Sequence, residues 1–131
     1  MLHPVSPSKV VAKPKRILII DDNEDAAISL AKLMDFLGHT TCTMFSGSDA
    51  VGAAEQFRPD VVLLDIGLPK SNGYEVARKL RECPWAKDIL IIAITGWSQP
   101  EDHRKSLEAG FDHHMAKPAD LNELLNLISH E

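Results

Sequence analysis

The feature that most restricts this chain is a set of short apolar runs, each closed by a polar residue. Val61-Val-Leu-Leu64 has no polar break and then meets Asp65. Arg16-Ile-Leu-Ile-Ile20 leads in the same way to Asp21 and Asp22, and Ile89-Leu-Ile-Ile-Ala-Ile94 leads to Thr95-Gly96. Runs this short and this uniformly apolar suit strands covered on both faces, as in a parallel sheet. A half-wet strand would alternate instead. After Asp65, the stretch Ile66 to Gly73 supplies Gly, Pro, Ser, Asn and Gly and turns the chain. Asp65 is therefore predicted at the carboxyl end of a buried strand, where open α/β sheets place their ligand crevice.

Helical patterns fill the intervals. One runs from about Asn23 to Leu37, with Ala26, Leu30, Leu33, Met34 and Leu37 on its apolar face and Gly38 as its stop. His39 to Phe45 alternates as a strand, with Cys42 and Met44 opposite Thr41 and Thr43. Ser46-Gly-Ser48 opens a helix to about Gln56. Tyr74 to Arg81 is helical, with Val76, Ala77 and Leu80 inward, and Cys83-Pro84 ends it. Ser98-Gln-Pro-Glu101 is a capping box for a helix to Ala109 that stops at Gly110. Phe111 to Met115 reads as a short polar edge strand. Asp120-Leu-Asn-Glu123 starts a last helix, with Leu121, Leu124, Leu125 and Ile128 on its apolar side. Alternating strands and helices call for a parallel sheet with helices on both faces, five of each here. With right-handed crossovers, the order 2-1-3-4-5 brings the ends of strands one and three together.

The 131 residues make one domain. The net charge of −5, with no basic run, argues against direct binding to nucleic acid. No apolar stretch approaches the ~18 residues of a membrane span, so no membrane contact is expected. Cys42 and Cys83 lack metal or redox spacing. Residues 1–15, with Pro4, Pro7 and Pro14 and no helical period, read as a disordered arm or linker ahead of a domain over 16–131. Val10-Val-Ala12 is too short for a signal-peptide core, and the compartment implied is the cytoplasm.

In that topology Asp21, Asp22 and Asp65 share one crevice. Carboxylates ~4 Å apart repel by roughly 1 kcal/mol in water-like surroundings and ~4 kcal/mol at an effective dielectric of 20. Such a cluster keeps a proton or binds a cation. Oxygen-only donors with water access suit Mg²⁺. The other strand ends add the Thr95 hydroxyl and the Lys117 ammonium. A carboxylate, a divalent ion, a hydroxyl and an ammonium can together receive a phosphoryl group, with Asp65 as the attacking oxygen.

Asp21-Asp22, Leu64-Asp65 followed by Pro69 and Gly73, Thr95-Gly96 and Lys117-Pro118, in this order and spacing, resemble the receiver domain of two-component response regulators over Arg16 to about Ser129. The resemblance implies a flavodoxin-like fold and transfer of a phosphoryl group to Asp65 from a histidine kinase or a histidine phosphotransfer protein. It makes Asp22 a direct Mg²⁺ (or Mn²⁺) ligand and Asp21 one acting largely through water. Asp65 and the backbone carbonyl of Gly67 complete the set. Thr95 and Lys117 would hold the phosphoryl oxygens, and Lys117-Pro118 would be a cis peptide. Output would pass through a downstream partner, a homodimer or a further domain, by way of the face formed by helix four, strand five and helix five. The domain would be a phosphoacceptor, stand-alone or part of a hybrid kinase, and not a turnover enzyme.

Two positions depart from the family pattern. His114 stands where many receivers carry Tyr or Phe as a rotamer switch coupled to the Thr. Gly67 gives the position two beyond Asp65 no side chain to orient water, and Trp97, near Gly96 at the site, is placed to shield an acyl phosphate. Two other classes share part of the pattern. An aspartate-nucleophile phosphatase needs an acid where Gly67 stands. A flavin-binding, flavodoxin-like module needs a phosphate loop where strand one is followed by acids.

Overall fold

A computed structural model describes residues 13–66, 73–96, 100–117 and 120–129. The arm over 1–12, Gly67, Pro69, Trp97, Ser98 and Pro118 lie outside the described residues. The strands are β1 (Arg16–Ile20), β2 (Thr40–Met44), β3 (Val61–Asp65), β4 (Leu90–Thr95) and β5 (His113–Ala116). The helices are α1 (Glu24–Phe36), α2 (Ala50–Phe57), α3 (Gly73–Glu82), α4 (Pro100–Ala109) and α5 (Leu121–Ser129). All strand pairs are parallel, and the sheet order is β2-β1-β3-β4-β5. The doubly wound, flavodoxin-like architecture is the one the apolar runs demand.

Strand alternation explains why those runs have no polar break. Leu18, Ile20, Val62, Leu64, Ile91 and Ala93 point to one side and pack with Ala50 and Ala54 of α2 and Val76, Ala77 and Leu80 of α3. Ile17, Ile19, Val61, Leu63, Ile92 and Ile94 point to the other and pack with Ala27, Ala31 and Met34 of α1 and Leu124 and Ile128 of α5. Two cores share one sheet, so every position of the three central strands but Arg16 is buried. Ala109 and Phe111 place the end of α4 on the α2–α3 side.

Several boundaries and faces differ from the sequence reading. The buried stripe of α1 is Ala27, Ala31 and Met34, bordered by Leu30 and Leu37. Small alanines let the helix approach the sheet, and each residue step turns the face by about 100°. Ala26 is therefore exposed, and Leu33 is 36% exposed. On α5, Leu121 is likewise at 36% exposure, while Leu124 and Ile128 are buried. A 3₁₀ turn at Pro84–Ala86 follows α3, and β4 starts at Leu90, one residue later than the apolar run.

The last strand begins at His113, not at Phe111. Asp112 explains this: its N–H donates to Ile91 O and its Oδ2 accepts from Ile91 N–H, 2.7 and 2.8 Å respectively. Arg81 seals the corner by donating to Asp112 Oδ2 and to the carbonyls of Gly110 and Ile89. Phe111 is core, edge-on to Tyr74 with ring centroids 6.3 Å apart. Gly110 is required there, at φ +104°, with Arg81 Cγ only 2.7 Å from where a Cβ would stand.

The chain enters the fold at Lys15, whose N–H donates to His39 Nδ1 at 2.9 Å. His39 is 5% exposed, and its Nε2 has no hydrogen-bond partner among the described residues. Burial first, and the Lys15 charge second, hold its pKa below the ordinary 6.5. The folded state thus prefers the neutral ring. The resulting stability is complete above pH ~6.5 and declines below it, as the unfolded chain takes up a proton that the fold refuses. The urea midpoint of the wild type is expected to fall between pH ~7 and ~5 more steeply than that of His39→Gln, which keeps an acceptor but does not titrate. Parallel slopes would show that His39 carries no proton linkage.

Candidate functional site

The rim at the carboxyl ends of β1, β3, β4 and β5 gathers most of the polar residues singled out in the sequence. Leu18↔Val62 and Ile20↔Leu64 pairing sets the end of β1 level with the end of β3. Asp21 leaves β1 just as Asp65 closes β3, and both are buried, with exposures of 9% and 8%. Asp22, one residue on, faces solvent. One carboxylate oxygen from each of Asp21, Asp22 and Asp65 lies within 4.8 Å of the others. Three carboxylates this close repel one another, and a cation beside them offsets that cost.

Lys117, just past β5, supplies one. Its Nζ donates to Asp21 Oδ2 at 2.9 Å and to Asp65 Oδ2 at 3.2 Å. Burial works against its charge. The hydrogen bond that Lys117 donates to Asp21, and the charge of Asp65 with the hydrogen bond donated to it, outweigh that cost and hold the ammonium above its ordinary pKa of 10.5. Three carboxylates against one ammonium still leave an excess of negative charge. An all-oxygen donor set of this kind fits a hard divalent cation such as Mg²⁺.

Local structure fixes each member. Asn23 has a double duty that the sequence reading did not identify. Its N–H donates to Asp21 Oδ1 at 2.9 Å, and its side chain caps α1 by accepting from Ala26 N–H at 3.1 Å. An Asn directly before a helical pattern is the signal that could have found it. On the far side of Asp65, Gly73 opens α3. A Cβ there would stand 2.6 Å from Ile66 Cα and 3.1 Å from Asp65 O, so the end of β3 and the start of α3 approach as only glycine permits.

Thr95 ends β4 and is 1% exposed. Since Asp65 pairs with Ile94, Thr95 sits one step along and on the opposite face, with Ala93. His114 pairs with Ala93 and shares the Thr95 face, half-buried. His113, its neighbour, is exposed. Gly96 is exposed at the rim. The structure therefore brings Asp21, Asp22, Asp65 and Lys117 into one cluster, and puts Thr95 and His114 in line behind it.

A family model described as the response regulator receiver domain matches residues 17–129. The polar-differentiation response regulator DivK of Brucella anthropi is 29% identical over 88% of this chain, which covers 94% of that protein. The gliding motility regulatory protein of Myxococcus xanthus is 32% identical over 89% of this chain, which spans only 15% of that protein. The crystal structure of a CheY-like response regulator receiver domain protein from Methanospirillum hungatei superposes with a TM-score of 0.82. It shares 28% identity, over 90% of this chain and 93% of the other. No helix among the described residues is long and apolar enough to cross a membrane.

The ion pair makes a prediction about metal affinity. Lys117 competes with any divalent cation for Asp21 and Asp65, so Lys117→Met is expected to bind Mg²⁺ about tenfold more tightly by calorimetric titration. A unit charge a few ångströms away carries roughly that energy near a surface. Unchanged or weaker binding would mean that the ammonium and the ion do not share these oxygens.

Proposed function

Because the chain belongs to the response regulator receiver domain family, we propose that it acts as the phosphoacceptor of a two-component phosphorelay, with Asp65 as the acceptor. The observation that carries this reading is the Lys117 ammonium 3.2 Å from Asp65 Oδ2, within a carboxylate cluster spanning 4.8 Å. An Asp65 oxygen attacks phosphorus, the bond to the donor's imidazole nitrogen breaks, and the electron pair leaves with that nitrogen. Histidine kinases and histidine phosphotransfer proteins present that donor. Lys117, already at the acceptor, needs only a small shift to bond a phosphoryl oxygen in place of the carboxylate. Thr95 supplies a hydroxyl to a second oxygen.

Asp21, Asp22 and Asp65, with the Gly67 carbonyl, would hold Mg²⁺ or Mn²⁺, which when bound supplies neutralisation of the charge gathered on the phosphoryl group. Asp21 already accepts from Asn23 and Lys117. Exposed Asp22 is the better direct ligand, and Asp21 the one that acts through water.

A phosphoryl group adds about −1.5 to −2 of charge. Drawing Thr95 toward it changes the space on the sheet face that Thr95 shares with His114, beside α4. The proposed output is a population shift in the α4–β5–α5 face. Moving such an equilibrium from 1:99 to 99:1 takes ~5.5 kcal/mol of differential stabilisation, so partial activation of a partner, a homodimer or an attached domain is the expected response. The phosphoryl group remains on Asp65 until water removes it, so the chain is a signalling acceptor and not a turnover enzyme.

Incubation with acetyl phosphate and Mg²⁺, and separately with phosphorylated histidine kinases, is expected to add one phosphoryl group by intact mass. Asp65→Asn and chelation of the metal should each abolish the label. Labelling that survives Asp65→Asn would move the acceptor to another residue and end this reading.

A further inference from the structure

At the end of the sheet away from the acid cluster, the chain forms a pocket of about 390 Å³, within the range of small-molecule sites. Asp60, just before β3, borders it, and Asp65 ends the same strand. Five residues at ~3.3 Å each put the two sites roughly 16 Å apart. Trp85 of the 3₁₀ turn, Pro59 and Ile89 give the pocket an apolar side. Arg58 and Asp88 bring opposite charges to it, and Lys15 adds a second cation. Arg58 and Asp88 nevertheless do not pair. The ion pairs among the described residues are Arg81 with Asp112 and Lys117 with Asp21 and Asp65.

The backbone at Arg58 adopts a conformation that costs an arginine more than it would a glycine. Arg58 caps α2 in the left-handed region, at φ 54° and ψ 68°, and is the one residue other than glycine with positive φ among the described residues. Glycine is the common occupant of such a helix end. What arginine adds is a guanidinium. Its Nε donates to Glu55 O at 2.7 Å, and its plane lies over the Trp85 ring, 4.9 Å from the centroid. The two Nη groups donate to nothing among the described residues. They are the donors that a carboxylate accepts in a charge-assisted pair.

We propose that this pocket binds a small zwitterion of the apolar α-amino acid class. The ligand's carboxylate takes the Arg58 guanidinium, its ammonium takes the Asp88 carboxylate, and its side chain lies against Trp85, Pro59 and Ile89. A ligand with both charges fits better than an ion of either sign. An anion would meet Asp60 and Asp88 as well as the cations, and a cation would meet Arg58 and Lys15. Asp60 is fixed as a further acceptor on the same pocket, because its Oδ2 already accepts from Arg16 N–H at 2.9 Å. This binding is non-covalent and leaves the acid cluster untouched, so it stands apart from the phosphoacceptor reading.

The test titrates L-phenylalanine and L-leucine into the isotope-labelled full chain and follows its N–H resonances. Saturable shifts are expected at the Trp85 indole N–H and at the amides of Arg58, Asp60 and Asp88, with none at Asp21, Asp22 or Asp65. N-acetyl-L-phenylalanine lacks the ammonium and L-phenylalaninamide lacks the carboxylate. Each should bind about fivefold more weakly than L-phenylalanine, the ratio that one exposed ion pair carries. Asp88→Asn, at an exposed position where misfolding is not a concern, should weaken L-phenylalanine by a similar factor and leave the N-acetyl compound unchanged. Arg58→Gly, which suits the left-handed backbone, should weaken L-phenylalanine and leave the amide unchanged. No saturable shift with either amino acid, or shifts confined to the acid cluster, would overturn the proposal. Equal binding of the three phenylalanine compounds, or binding that both variants leave unaltered, would overturn it too.

Discussion

The structure depends on how two carboxylates separated by forty-odd residues of chain are kept side by side at one edge of the sheet. Asp21 and Asp65 are each less than a tenth exposed. Lys117 bonds both, at 2.9 and 3.2 Å, from a strand that reaches the rim only after the whole sheet has been laid down. Its separation of 96 residues from Asp21 makes the contact a report on the complete fold. Parallel pairing of β1 with β3, β3 with β4 and β4 with β5 is what brings the three groups to one edge. The ammonium does not balance the cluster, however. The remaining negative charge keeps the site receptive to a divalent ion, and the bonded lysine keeps it from repelling itself apart.

Much of this was legible in the sequence because the signals were redundant. An uninterrupted run such as Val61 to Leu64 has one good explanation in a domain of this size, a strand with helices on both faces. The polar residues that follow the runs inherit their positions from the topology. What was not legible came from angles and from local bonding. The helical period of α1 is satisfied by Ala26, Leu30 and Leu33 and equally by Ala27, Ala31 and Met34, and only the packing of two alanines against the sheet decides between them. Phe111 looked like the start of a strand because it is apolar and follows a glycine. The side chain of Asp112, by bonding Ile91 N–H, occupies the ladder position and delays the strand to His113.

Thr95 illustrates a subtler limit. Its place at the end of β4 followed from the apolar run, but its orientation followed from register. Asp65 aligns with Ile94, so Thr95 belongs to the other face of the sheet, with Ala93 and His114. A hydroxyl that must reach round the strand end to meet a group at Asp65 is coupled to whatever lies on its own side. That side is where His114 and α4 are. The sheet thus puts Lys117 on one side and His114 with α4 on the other, with Thr95 at the strand end between them.

The same division bears on why α1 keeps an apolar surface. On the α2–α3 side, α3 buries its apolar stripe against the sheet with Val76, Ala77 and Leu80, while Leu107 of α4 is 66% exposed. On the α1 side, Phe36 is 72% exposed and Ile28 39%, in addition to Leu33. Exposed leucine or phenylalanine taken singly is ordinary on a protein surface. Here the residues lie on the helix whose first turn is tied to the Asp21 carboxylate through Asn23, so anything that packs against α1 bears on one member of the acid cluster.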